Sequence, residues 1–161
     1  MVRRTVIIIK PDAVNRSLIG EILSRFEKKG LKIVGMKLMR FDVNKIDEHY
    51  GHHKEKPFFK ELSDFMSSIP CVFMVLEGKD AVNVVRKFVG KTNGRDAEPG
   101  TIRGDYSMST QSNVIHANGD ENAAKIEIKR FFKDEELINY EKIDFNWLYA
   151  SSEKSKFEEK D

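Results

Sequence analysis

Apolar positions along this chain switch between two periods. Thr5 to Ile9 is an unbroken, β-branched run, the pattern of a strand buried on both faces. From Gly20 to Lys29, Ile22, Leu23 and Phe26 fall on one helical face, and Gly30 stands where that helix would stop. Leu31 to Met39 sets Lys32 and Lys37 among apolar neighbours and reads as a second strand. Asn44 is placed to cap a short helix carrying Asp47, Glu48 and Tyr50. Pro57 suits the first turn of the next helix, with Phe58, Leu62 and Phe65 at helical spacing. Cys71 to Leu76 is a buried-type strand. Asp80 opens a helix whose inner face is Val82, Val85 and Val89, closed by Gly90. Residues 91–112 read as a long loop rich in Gly, Asn, Asp and Ser, and Asn113 to His116 as the last strand. Ala124, Ile128 and Phe131 mark a final helix, capped by Asp120 or by a capping box of Asn118 and Glu121.

The order is therefore β-α-β-(αα)-β-α-β-α. Without the inserted helical pair it is a ferredoxin-like βαββαβ α/β sandwich on an antiparallel four-stranded sheet, with a long loop before the last strand. Such a loop inside a compact domain is unusual and often functional. Residues 1–150 read as one domain, and residues 151–161, mostly charged or serine, as a flexible tail.

Charge narrows the partners. Lys plus Arg number 28 against 26 Asp plus Glu, so no global basic field draws the chain to nucleic acid or an anionic membrane. Cys71 is the single cysteine, which suits a reducing compartment. The apolar run after Arg3 and Arg4 is too short for a signal-peptide core and meets Lys10-Pro11-Asp12 at once. No segment approaches membrane-spanning length, so a cytoplasmic protein is expected.

The chemistry concentrates near His116, at the end of a short strand, with Arg103 on the preceding loop. Histidine is a nucleophile that is partly neutral near pH 7, and arginine clamps phosphate. Lys10, Arg86, Thr92 and Arg103 all lie at or near element ends, where a sandwich opens a cleft. Asn113 and Tyr50 add hydrogen-bonding groups, and Phe58 is either a stacking platform for a base or a core residue. Gly90-Lys91-Thr92 resembles the end of a P-loop, but position 85 is valine and a helix precedes it, so that motif is rejected. His49, His52 and His53 lack the spacing of a zinc site. Arg103-Gly104-Asp105 is not read as an adhesion signal, and Cys71 is read as packing.

Several motifs carry a closer resemblance. They are Thr5-Val6-Ile7-Ile8-Ile9-Lys10-Pro11-Asp12, Gly20-Glu21-Ile22, Glu48-His49-Tyr50, Pro57-Phe58-Phe59, Pro99-Gly100-Thr101-Ile102-Arg103-Gly104-Asp105 and Asn113-Val114-Ile115-His116. In order and spacing, from Arg4 to about Tyr149, the chain resembles nucleoside diphosphate kinases. The resemblance implies ping-pong transfer of the γ-phosphoryl of a nucleoside triphosphate to a nucleoside diphosphate, which maintains nucleotide pools. His116 matches the nucleophile, phosphorylated on its pros nitrogen, and Glu127 the acid that orients it. Lys10 and Asn113 match residues that bind the sugar hydroxyls and position phosphates. Arg86, Thr92 and Arg103 match the phosphate clamp, Tyr50 a tyrosine beside the histidine, and Phe58 the aromatic under the base. The resemblance also implies Mg²⁺ carried by the nucleotide rather than by protein ligands, and a homo-oligomer, a hexamer sooner than a tetramer.

Three positions depart from the family pattern. Asn118 replaces a serine that helps hold the acid near the histidine. Gly119 replaces an aspartate near the metal-phosphate region. Gly94 stands where many relatives have proline, in a loop that often stabilises trimer contacts. The rival reading is a catalytically weak relative that binds nucleotide or RNA. Against it, no strand carries paired RNP aromatics, and neither the histidine nor the clamp is lost.

Overall fold

The computed structural model describes residues 2–154. Four strands, β1 (Val2–Ile9), β2 (Lys32–Met39), β3 (Cys71–Lys79) and β4 (Ile115–Ala117), form one sheet in the order β2-β3-β1-β4. Every neighbouring pair is antiparallel, the ferredoxin-like arrangement expected from the sequence.

The continuous apolar character of β1 follows from its place at the centre. Ile7 and Ile9 face a core built with Phe26 of α2 (Ile19–Lys28) and Val85 of α5 (Ala81–Val89). Val6 and Ile8 face a second core with Ile46 of α3 (Val43–Tyr50), Met66 of α4 (Phe59–Ser67) and Phe131 of α7 (Glu121–Phe131). The inserted helical pair and α7 thus cover the face that α2 and α5 leave open. Each fully buried isoleucine of β1 contributes roughly 1.5–3 kcal/mol.

Several boundaries differ from the sequence reading, each for a local reason. Asp42, not Asn44, caps α3, its Oδ1 accepting from Lys45 N at 2.9 Å. Pro57 precedes α4 rather than opening it, and Phe58 takes the cap position. β3 runs on to Lys79 because Glu77 lies opposite both Arg4 and Lys32 and bonds each, at 2.7 and 2.9 Å. Asp120 caps α7 through Ala123 N, and the alternative box does not form because Asn118 is turned onto β1.

The long loop is partly ordered into a 3₁₀ turn at Gly94–Asp96 and a short helix, α6 (Ile102–Tyr106), capped by Thr101. Another short helix, α1 (Pro11–Asn15), follows β1 directly. At the C-terminal side, Ser151–Lys154 makes a helical turn pinned by Glu153 to Lys79 at 2.6 Å. The rest of the expected tail lies outside the described residues.

Candidate active site

Strand pairing fixes where His116 points. β4 aligns Ile115, His116 and Ala117 with Ile9, Ile8 and Ile7. Side chains alternate across a sheet, so Ile115 and Ala117 enter the α2–α5 core while His116 emerges on the α7 side. Its side chain remains 25% exposed. Asn113 and Val114, expected as strand, instead form a turn ahead of β4, with Val114 at φ +65°.

On α7, Glu127 meets the imidazole: Nε2 of His116 and Oε2 of Glu127 are 2.9 Å apart. Burial pushes the Glu127 carboxyl up. The hydrogen bond from His116, the electrostatic influence of the His116 and His49 imidazoles, and the nearby Asn118 amide outweigh it and hold the group below its ordinary value. A carboxylate there accepts a hydrogen bond from Nε2–H, which leaves the Nδ1 lone pair of the neutral ring free. His116 Nδ1 makes no hydrogen bond among the described residues.

Asn118 does two jobs unequally. Its Oδ1 accepts from Thr5 Oγ1 at 3.0 Å and Val6 N at 2.7 Å, extending the β1 ladder past the end of β4. Its Nδ2 is buried without a well-formed hydrogen bond. The amide therefore acts on Glu127 as a nearby dipole rather than as a bonded partner.

The ring that meets His116 is that of His49, edge-on with centroids 5.0 Å apart. Sequence reading grouped His49 with His52 and His53. The structure separates it from them and buries it on the stripe Ile46–His49–Tyr50, whose spacing was the available signal. Nδ1 of His49 accepts from Arg130 Nη1 at 3.1 Å, and Arg130 Nε donates to Glu48. Burial, then the charge of His116, depresses the His49 pKa to about 3, so this ring is neutral at ordinary pH. Tyr50 is buried against His49 and Phe41, and burial raises its phenol beyond the ordinary range. His52 and His53 stack on each other instead, beside Phe58.

The polar side of the site is tied together by Asn113. Its Oδ1 accepts from Lys10 Nζ at 2.7 Å, and its Nδ2 donates to the carbonyls of Thr92 and Thr110. Burial, then repulsion by Arg103, lowers the Lys10 pKa to about 8. Arg103 is also buried, and it donates to the carbonyls of Asn113, Gly90 and Ile115. Burial, then the charge of Arg86, brings its pKa down to about 10. Arg86 and Thr92 are exposed, and Arg86 has no hydrogen-bond partner among the described residues. Phe58 is 44% exposed and presents an open ring. Cys71 is buried packing, as expected, its thiol pushed up to about 12 by burial.

One trio of metal-type donors occurs among the described residues, His49, His116 and Glu127, with ligand atoms within 4.8 Å of one another. Two nitrogens and one oxygen do not suit Mg²⁺, which requires oxygen ligands. The trio is built instead as a hydrogen-bonded acid–imidazole pair with a second ring against it.

This geometry can be set beside known proteins. The nucleoside diphosphate kinase family model matches residues 3–137. The chain belongs to the nucleoside diphosphate kinase family. It is 53% identical over 150 residues to the kinase of Parabacteroides distasonis, covering 93% of this chain and 98% of that one. With the kinase of Pyrococcus horikoshii it shares 55% over 149 residues, covering 91% and 94%. A halophilic nucleoside diphosphate kinase from Halobacterium salinarum, solved with CDP, superposes with a TM-score of 0.90 at 46% identity, over 93% of this chain and all of that one. As a nucleoside diphosphate kinase the protein is an enzyme of phosphoryl transfer between nucleotides, and the binding-module reading is not favoured. No helix among the described residues of this kinase is long and apolar enough to cross a membrane.

Proposed function

We propose that His116 carries the phosphoryl group, on Nδ1, between a nucleoside triphosphate and a nucleoside diphosphate in a ping-pong reaction. The observation that carries this reading is the 2.9 Å contact of Nε2 with Glu127. It occupies one ring nitrogen and leaves the other available for attack. Phosphoryl transfer passes through a loose transition state, so positioning and charge neutralisation dominate. Lys10, Arg86 and Arg103 supply positive charge, with Thr92 and Asn113 as hydrogen-bonding partners. Arg103, braced by three carbonyls, is held rigidly in place. Glu127 positions the imidazole, Asn118 tunes Glu127 from nearby, and Tyr50 packs the His49 ring. Mg²⁺ enters as part of the substrate, on the nucleotide phosphates.

Phe58 offers stacking to the base, and stacking is sequence-tolerant because every base has a π face. The kinase should therefore accept purines and pyrimidines alike. We further infer a homo-oligomer, a hexamer sooner than a tetramer, acting in the cytoplasm. What supports assembly is β2, a sheet edge with Met36 55% and Leu38 64% exposed, since such an edge invites pairing with another chain.

Incubation with γ-labelled ATP and Mg²⁺, without acceptor, tests the central reading. An acid-labile, base-stable label that any nucleoside diphosphate discharges is expected. An unlabelled protein that still transfers phosphoryl groups at a normal rate would exclude the phosphohistidine.

A further inference from the structure

The turn that delivers His116 is strained. Val114 is β-branched and fully buried, yet stands at φ +65°, where such residues rarely occur. Ile115 N donates to Asn113 O at 2.8 Å across it, so Asn113-Val114-Ile115 is a γ-turn of the rare, positive-φ kind. Strain of this sort persists only where its surroundings over-determine it. Both peptide groups of Val114 are held from the segment just after β1. Lys10 N donates to Val114 O at 2.9 Å, and Asp12 Oδ2 accepts from Val114 N at 3.0 Å. The first bond continues the sheet ladder. The second comes from a side chain that no role in phosphate binding accounts for.

Asp12 is costly where it stands. Its Oδ1 is shielded from solvent and makes no hydrogen bond among the described residues. Desolvation disfavours a carboxylate with one dry, unbonded oxygen, and the nearby Lys10 cation offsets part of that cost without bonding to it. What the other oxygen holds is the residue between Asn113, which organises Lys10 and Thr92, and Ile115, which leads into His116.

We propose that Asp12 is a positioning residue for the reaction: by accepting the Val114 N–H it locks the left-handed γ-turn that places Asn113 and His116 relative to each other. The inference rests on His116 as the phosphoryl carrier. Asp12 touches neither nucleotide nor the reacting atoms, and acts through the Val114 backbone.

A kinetic cycle tests it, with kcat and KM measured for transfer from ATP to a nucleoside diphosphate. Asp12→Ala should lower kcat by about tenfold or more, with KM changed less than about threefold, because the turn relaxes while the exposed Arg86 and Phe58 stay in place. Asp12→Asn should stay within about threefold of the wild type, since its amide oxygen accepts the same bond. In a Val114→Gly background, Asp12→Ala should cost no more than about threefold, because glycine adopts positive φ without a Cβ penalty. The buried side chain lost in Val114→Gly is common to both members of that comparison.

An equal loss in both backgrounds, or no loss at all, would overturn the proposal. So would a fall for Asp12→Asn as deep as for Asp12→Ala. Should Asp12→Ala not fold, hydrogen exchange of the Val114 amide in the wild-type protein decides: strong protection is expected, and exchange at the rate of an exposed amide overturns it. The label described above, mapped on the same wild-type protein, separates the two readings. A label away from His116 contradicts the nucleophile, while the cycle still judges Asp12.

Discussion

Nε2 of His116 sits 2.9 Å from Oε2 of Glu127, with His116 on the last strand and Glu127 on the helix that follows it. The strand pairs with β1 and the helix packs over the same sheet face, so the pair is set by the fold rather than by a loop. Glu127→Gln tests what the carboxylate adds. The amide keeps the shape and loses the charge that stabilises and orients the ring. We expect kcat to fall by about 10- to 100-fold with nucleotide KM little changed. Steady-state kinetics would show it, and an unchanged kcat would remove Glu127 from the mechanism.

Asn118→Ser restores the residue usual in relatives but should weaken the fold here. Thr5 Oγ1 and Val6 N both donate to Asn118 Oδ1, and a shorter side chain leaves at least one of them unpaired in a buried site. The expected cost is about 1–3 kcal/mol in denaturant unfolding, with turnover within about threefold of the wild type. A rise in stability would show that the amide oxygen is not needed.

Lys10 predicts a pH signature. Its pKa is about 8 in the fold against 10.5 for the free side chain, so the folded state binds fewer protons between those values. Folding stability from this residue therefore rises with pH from about 8 to 10.5, and the full burial penalty is present below 8. Subtracting Lys10→Met melts from wild-type melts across pH should show that slope. Activity should move the opposite way, with kcat/KM falling above about pH 8 as the cation is lost.

Gly94→Pro, the change toward many relatives, should destabilise this protein. Gly94 N donates to Ser109 O at 3.1 Å, a bond proline cannot make. A Cβ at position 94 would come 2.3 Å from Ser107 O. The loss of a buried backbone bond alone is worth about 1–3 kcal/mol, and thermal unfolding would report it. A higher melting temperature would mean the loop rearranges to accept the ring.

The element order and the ferredoxin-like class were legible because Thr5–Ile9 and Cys71–Leu76 are continuous apolar runs and Val82, Val85 and Val89 fall at helical spacing. The paired residues His116 and Glu127 were reachable through the motifs that resemble the family. What escaped was set by tertiary contact. Val114 has every propensity for a strand, yet Asp12 and Lys10 hold it in a turn. The helix Pro11–Asn15 is too short to show a period. His49 and Tyr50 are neighbours on one helix, and both lie on its buried side. The resemblance singles out Tyr50 as the neighbour of His116, whereas the ring packed against both Phe131 and His116 is that of His49. Arg103 was read as a clamp from its charge, whereas its bonds to three carbonyls show it also bracing the segment that carries His116.

The most direct test locates the phosphoryl group atom by atom. The protein is phosphorylated with Mg²⁺-ATP, and the imidazole resonances of the phosphoprotein are assigned by nitrogen-15 NMR. One phosphohistidine is expected, at His116, with phosphorus on Nδ1 and the Nε2 proton still bonded to Glu127. Phosphorus on Nε2, or on any other residue, would contradict that assignment.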